Sequence, residues 1–207
     1  MTIEWYATLF GFALLTCGTP GPNNLMLTAS GANFGVRRTL PHLIGVVVGQ
    51  PVLQLVLALG FYPLFERWPL LKVSLQVLGS LYLLWLAWRI AVAGAPGDPA
   101  SRARPLTLLE GLGFQFLNPK AWMMGISAIS LFSLPGSDYW PSLWGIMSVF
   151  PMAGLPVCFA WVLFGHQLSR WINSDRGWRR LNGSLGATNY GVMMAEEKGD
   201  AGRSFSA

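Results

Sequence analysis

The residues best suited to chemistry in this sequence are a lysine and several asparagines that lie beside prolines inside apolar stretches. Segment 19–24 reads Thr-Pro-Gly-Pro-Asn-Asn and interrupts an apolar stretch over about 5–27. Segment 118–120 reads Asn-Pro-Lys and interrupts a second apolar stretch over about 106–134. Asparagine supplies hydrogen-bond donors and acceptors, and Lys120 supplies a positive charge. These groups suit a zwitterion, which carries a carboxylate and an ammonium group.

The first break is expected to open a helix. Its prolines remove two backbone donors and block helical continuation, while its glycine allows backbone angles that other residues avoid. Unpaired carbonyl and amide groups can then face inward beside two asparagine side chains. The alternative interpretation is a mere kink. The candidate substrate-binding residues of this break are Pro20, Gly21, Pro22, Asn23 and Asn24.

The second break contains the candidate residues Asn118, Pro119 and Lys120. A charge at that depth in a membrane span costs about 3 to 10 kcal/mol unless a partner or a cavity relieves it. Lys120 is therefore expected to attract the carboxylate of a substrate, with Asn118 as hydrogen-bonding support. The alternative is that Pro119 shortens the helix and lets Lys120 snorkel to an interface.

The elements that position these residues are membrane helices. Apolar residues make up 53% of the 207 residues and charged residues only 11%, whereas soluble domains carry about 25% charge. About 20 residues cross about 30 Å of hydrocarbon, so the sequence predicts an all-α polytopic membrane protein of five to six transmembrane helices. Five spans are predicted near 5–33, 41–65, 69–93, 107–134 and 140–167.

The arrangement of loops predicts two halves. The segment 94–106 is rich in small residues, Gly and Pro, and reads as a cytoplasmic linker between a first membrane repeat, 1–93, and a second, 107–194. Each repeat begins with a broken helix, and three spans in each would insert the repeats in opposite senses, which is inverted-repeat architecture. The last helix is eroded, because no apolar run of about 20 residues remains there. The segment 195–207 reads as a disordered polar tail.

Basic residues cluster at the ends of the predicted spans. Their distribution places the first, third and fifth connections in the cytoplasm. The N-terminus is outside if the first segment spans the membrane and inside if that segment is re-entrant, and both interpretations stay open. No continuous basic face is present, so a nucleic-acid partner is not expected despite the net charge of +5.

Other polar residues offer weaker signals. Gln50 and Gln54 lie one helical turn apart and are candidates to line a path, although hydrogen bonding between helices explains them equally well. His42 and His166 lie at span ends, where each is either a proton-coupling group or structural. The sequence contains no hydrolase or zinc-protease motif, so we expect no enzymatic activity, no metal and no cofactor.

Both breaks, together with the segment Gln-Phe-Leu-Asn-Pro-Lys-Ala at 115–121, resemble the LysE/RhtB family of amino-acid exporters. The resemblance covers about residues 5–187. It implies a small, multi-pass protein of the bacterial inner membrane that exports amino acids or close analogues, driven by the proton gradient and without an organic cofactor. It also implies that the prolines, Gly21, Asn118 and Lys120 of the two breaks are hallmark positions of the family.

The sequence predicts a secondary transporter, and the resemblance implies that it exports amino acids or close analogues by proton antiport. The alternative is a transport-incompetent family member that acts as a membrane binding or scaffold protein because its C-terminal helix is incomplete. The expected partners are a small amino-acid substrate, protons and the lipid bilayer, with a homodimer as one possible assembly.

Overall fold

The computed structural model describes residues 1–61, 81, 104–170, 183–184 and 187–188, and every structural statement below concerns these residues. All regular elements among them are helical, as the sequence predicts. The elements are α1 (Ile3–Gly18), α2 (Pro22–Val56), α3 (Leu108–Leu117), α4 (Pro119–Phe132) and α5 (Tyr139–Arg170). A π-helical turn, Leu57–Phe61, continues α2, and a 3-10 turn, Gly136–Asp138, precedes α5.

Both predicted breaks interrupt helices. The first lies between α1 and α2, and the second lies between α3 and α4. Pro22 and Pro119 each occupy the first position of the resumed helix, where proline is favoured because no backbone donor is needed. Asn118 caps α4, since its Oδ1 accepts from the backbone nitrogen of Lys120 at 3.1 Å. The prolines therefore begin helices here.

The spans predicted near 5–33 and 41–65 leave a connection over 34–40, and this predicted connection is longer than the one observed. Helix α2 runs through it with a kink at Gly35, where φ is 76° and ψ is 169°. That backbone region favours glycine, so the chain turns there without a loop. The hydroxyl of Thr39 donates to the Gly35 carbonyl at 2.8 Å and lies 3.0 Å from the Ser30 hydroxyl, which stabilises the kink.

Two helical stretches are long and apolar enough to cross a membrane, namely Pro22–Gly60 and Gly136–Arg170. The second agrees with the span predicted at 140–167. The predicted span 69–93, apart from Leu81, lies outside the described residues, as do 94–103 of the linker, most of the eroded last helix and the tail. The count of spans thus stays a prediction.

The helices pack through glycines. A side chain on Gly31 would overlap the carbonyl of Val162, and one on Gly165 would overlap the carbonyl of Thr28, so the backbones of α2 and α5 are in contact. A side chain on Gly45 would likewise overlap the carbonyl of Leu108 on α3. Small residues allow such close approach of membrane helices.

Polar and apolar side chains are distributed as in a membrane protein. Large apolar side chains are exposed along the outer faces of α2 and α5, including Ile44, Val48, Trp144, Met152 and Phe164. Amides are buried between the helices, including Gln50, Gln54, Gln115 and Asn118. This pattern favours lipid outside and a polar interior.

Candidate functional site

A cavity with a volume of about 40 Å³ lies where the two helix breaks meet. By this measure a water molecule needs roughly 10–15 Å³, so the cavity has room for about three or four waters. Of the predicted site residues, six line the cavity: Gly21, Asn23, Asn24, Gln50, Asn118 and Lys120. The lining does not include Pro20, Pro22, Pro119 or Gln54. The prolines therefore shape the breaks without facing the cavity.

Lys120 joins the second break to the first. Its Nζ donates to the carbonyl oxygen of Thr19 at 2.6 Å and to the Thr19 hydroxyl at 2.7 Å, and it lies 3.4 Å from the Pro20 carbonyl oxygen. Thr19 and Pro20 are exposed, so this end of the site opens to the surface. The carbonyls at the end of α1 carry the negative end of the helix dipole, which favours an ammonium group.

The interpretation of Gly21 as a source of unusual backbone angles is wrong. Its φ is −173° and its ψ is 175°, an extended conformation that other residues also adopt. Glycine is needed there for space: a Cβ would lie 2.7 Å from Cδ and 3.0 Å from Nζ of Lys120. Gly21 therefore makes room for the lysine side chain.

The two asparagines of the first break have different surroundings. The Asn24 amide donates to the carbonyl oxygens of Cys17 and Thr19, each at 2.8 Å, and so fastens the end of α1 to the start of α2. The Asn23 amide donates to Oε1 of Gln115 at 2.9 Å, while its own buried Oδ1 has no hydrogen-bond partner among the described residues. Asn23 thus retains an acceptor for a ligand.

Gln115 is a site residue that sequence reasoning missed. It is buried on α3, lines the cavity, accepts from Asn23 and donates to the Val46 carbonyl oxygen on α2 at 2.7 Å. It thereby joins α3 to α2 at two separate points. The sequence signal that could have found it is a glutamine inside an apolar segment, four residues before Pro119. An amide side chain inside a membrane span costs free energy unless it is hydrogen-bonded, so its presence there indicates a role.

Gln50 and Gln54 lie on one side of α2. The Gln50 amide donates to the Ala121 carbonyl oxygen at 3.2 Å across the interface with α4, and its side chain lines the cavity. Gln54 is 1% exposed, and neither polar atom of its amide has a hydrogen-bond partner in the part of the chain that the structure describes. Gln50 therefore contributes both to helix packing and to the cavity.

The described residues contain no group of three His, Cys, Asp or Glu side chains that could hold a metal ion. The polar atoms that converge on the cavity are amides, hydroxyls, carbonyls and one ammonium group. Such a set binds charged and polar groups of a ligand by hydrogen bonds.

A cavity lined by residues of two helix breaks, in a helical bundle with an apolar exterior, is the arrangement expected of a membrane transport protein. The sequence profile of the LysE type translocators matches residues 14–194, and the chain belongs to that family. The resemblance seen in the sequence is thereby confirmed.

Three similar proteins share one functional description. The chain is 33% identical over 171 residues to a cysteine/O-acetylserine efflux protein of Klebsiella pneumoniae subsp. pneumoniae, covering 82% of this chain and 86% of the relative. It is 31% identical over 170 residues to the protein of the same description from Salmonella typhimurium, covering 82% and 87%. The corresponding protein of Escherichia coli K12 is 29% identical over 170 residues, with the same coverage. No solved structure matches the chain.

Proposed function

We propose that this protein is a secondary transporter that exports small amino acids, with cysteine and O-acetylserine as the best candidates. The observation that carries the proposal is the Lys120 ammonium group bound to the carbonyls of the opposite break, beside a cavity lined by both breaks. The efflux proteins to which the chain is similar support the same substrate class.

The substrate binds by an exchange of partners. A substrate carboxylate attracts the Lys120 ammonium away from Thr19 and Pro20, and the carbonyl oxygens that are released then accept from the substrate ammonium. The unpaired Oδ1 of Asn23 offers a further acceptor. Lys120 thereby pairs with the carbonyl oxygens of the first break before substrate binds, and with the substrate carboxylate afterwards.

The size and charge of the cavity favour small, neutral side chains. Cys17, Met124, Phe150 and Cys158 supply its apolar lining. The volume of about 40 Å³ must increase before any amino acid fits, so substrate binding requires a conformational change. A second positive charge on the substrate would be repelled by Lys120, which disfavours lysine and arginine.

We attribute the conformational change to alternating access between two inverted repeats, 1–93 and 107–194, joined by the linker 94–106. Four residues of α2 recur one hundred positions later in α5: Pro41, Leu43, Gly45 and Pro51 recur as Pro141, Leu143, Gly145 and Pro151. The contacts are reciprocal, because α3 packs on Gly45 while the Trp5 ring of α1 packs on Gly145. Each short helix thus lies on the long helix of the other half, which supports a pseudo-two-fold relation.

The remaining features follow the family resemblance. We propose a multi-pass protein of the bacterial inner membrane, coupled to protons by antiport and able to form a homodimer. The alternative, a transport-incompetent binding or scaffold protein, gains no support from the described residues. The family match extends to residue 194 and includes the segment that the sequence shows as eroded.

The test is efflux of labelled L-cysteine, O-acetyl-L-serine and L-lysine from cells that make the protein, the Lys120→Met variant or the Arg170→Met variant. Arg170 is exposed at the end of α5 and serves as a matched loss of charge. We expect efflux of the two neutral substrates, a loss of about tenfold or more in Lys120→Met and no change in Arg170→Met. Membrane insertion is checked in all three.

Equal efflux by the parent and Lys120→Met would remove Lys120 from the binding site. Absence of efflux from a well-inserted parent would instead favour the transport-incompetent alternative.

A further inference from the structure

Five buried side-chain nitrogen and oxygen atoms in the described part of the chain have no hydrogen-bond partner, and they belong to Asn23, His42 and Gln54. A buried polar group left unpaired costs about 1–3 kcal/mol. Such groups in native proteins call for an explanation, of which water or a passing ligand is one. Their positions are therefore informative.

Two of these residues, His42 and Gln54, belong to one row of α2. His42, Val46, Gln50 and Gln54 recur every four residues, so each lies about one turn from the next, and the row winds about 120° around the helix from its first member to its last. Val46 and Gln50 line the cavity, which places His42 one turn before it and Gln54 one turn after it. At 1.5 Å per residue the row extends about 18 Å, more than half of the hydrocarbon thickness.

His42 is the ionisable member of the row. It is 1% exposed, and neither ring nitrogen has a hydrogen-bond partner within the described ranges of the chain. Its ring lies against the backbone of α3, because a Cβ on Gly111 would come within 3.2 Å of its Cδ2. A histidine serving only as a structural group would donate or accept at least one bond.

The described helices that pack beside His42 carry charged and titratable groups. On α3 Glu110 precedes Gly111, which lies against His42, and its carboxylate is paired with Arg104 at 2.6 Å. On α5 the titratable group that packs beside this part of α2 is Cys158. On α2 itself Arg37 and Arg38 are exposed, and Lys120 of α4 lies across the cavity.

We propose that His42 is the proton-binding residue of this exporter and that the row from His42 to Gln54 is the hydrated track that joins it to the substrate cavity. The imidazole takes a proton from water on one side of the membrane and both ring nitrogens then donate. It returns that proton to water on the other side of the membrane. A neutral imidazole has one nitrogen that can take up a proton, which this task requires.

The proposal rests on the proposed function, and its test separates the two. The purified protein is reconstituted in lipid vesicles, and uptake of labelled L-cysteine, kept reduced, is measured in two ways. Acid-loaded vesicles report uptake driven by outward proton movement. Vesicles preloaded with unlabelled cysteine at equal pH report substrate exchange, which needs the substrate site but no net proton movement.

We expect the His42→Gln variant to lose proton-driven uptake by about fivefold or more, the lower end of typical coupling between two ligands, while exchange stays near the parent rate. His166→Gln, which changes the other histidine of the chain, is the matched control and should retain both activities. Retention of proton-driven uptake in His42→Gln would overturn the proposal. Loss of both activities in a folded His42→Gln variant would also overturn it, because His42 would then serve the substrate site or the fold.

A parent that exchanges cysteine but shows no proton-driven uptake would refute the role of His42 and leave amino-acid transport intact. A parent that does neither would refute the proposed function itself. In that case a second measurement tests whether His42 binds the proton. Substrate is added to the protein in weakly buffered detergent, and a pH indicator reports the release of protons. Release from the parent and His166→Gln but not from His42→Gln supports the proposal, and no difference overturns it.

Discussion

The side chain of Lys120 runs directly over Gly21, with 2.7 Å between Lys120 Cδ and the position that a Cβ of Gly21 would take. The two residues belong to different helix breaks, so each break is shaped by a residue of the other. The small residue at 21 and the long residue at 120 form one structural unit.

Replacement of Gly21 by alanine should displace Lys120 from the carbonyls of Thr19 and Pro20. The extended backbone at Gly21 accommodates alanine, so folding and insertion should persist while efflux falls by about tenfold to a hundredfold, as expected when a binding group is misplaced. Efflux of labelled cysteine measures the change. The control is Gly18→Ala at the end of α1, where a Cβ meets no atom within 4 Å. Similar efflux from both variants would contradict the proposed contact.

The two neighbouring asparagines should separate stability from substrate binding. Asn24→Ala removes the side-chain donor of the Cys17 carbonyl and one of the two side-chain donors of the Thr19 carbonyl, so the free energy of unfolding should fall by about 1–3 kcal/mol. Asn23→Ala removes the unpaired Oδ1, so it should chiefly raise the substrate concentration needed for half-maximal transport. Denaturation in detergent and the concentration dependence of exchange measure these effects. If Asn24→Ala instead raised the half-maximal substrate concentration and Asn23→Ala lowered the free energy of unfolding, Asn24 would be the residue that contacts the substrate.

The glycine contact between α2 and α5 should be intolerant of a methyl group. Gly165→Ala brings its Cβ into the Thr28 carbonyl, and such overpacking should lower the free energy of unfolding by about 1–3 kcal/mol. The matched variant Gly113→Ala lies in open space on α3 and should raise it by about 0.5–1 kcal/mol, because alanine is the better helix former. The unfolding temperature in detergent should therefore fall in Gly165→Ala and rise in Gly113→Ala. Equal shifts in the two variants would refute the close contact.

Replacement of Gln54 should affect stability and transport differently. Gln54→Leu removes two unpaired polar atoms from a site that is 1% exposed, so stability should stay equal or rise. Transport should fall, because the track loses the polar group at its far end. Thermal unfolding and cysteine efflux of the same variant test both statements. Unchanged efflux would remove Gln54 from the path.

The helix breaks could be predicted because their cause is local. Proline cannot donate a backbone hydrogen bond, and at Pro20, Pro22 and Pro119 it stands beside Gly or Asn residues that suit the end or the cap of a helix. Pro51 and Pro151, which have no such neighbours, lie inside α2 and α5. The kink at Gly35 was predicted as a loop, since basic residues at 37 and 38 resemble a connection between spans. A positive φ at one glycine turns the chain in less space than sequence composition indicates.

The meeting of the two breaks could not be worked out from composition or spacing. Thr19 and Lys120 are separated by 101 residues, and their contact depends on how five helices pack. Gln115 was missed for the same reason, because its partners Asn23 and Val46 lie on another helix. Which polar residue faces the cavity is decided by the rotation of each helix, and sequence periodicity in a uniformly apolar span reports that rotation weakly.

The contact of bare backbones at Gly31 and Gly165 has a mechanical consequence. No side chain lies between α2 and α5 at these points, so nothing there can change rotamer when the protein moves. This contact can therefore serve as a fulcrum for motion of one half against the other. Gly21 lies ten residues before Gly31, about 15 Å along the helix, so a tilt of α2 about this contact displaces Gly21 more than it displaces Gly31. A tilt of a few degrees at the fulcrum would then become an opening of ångström size at the substrate cavity.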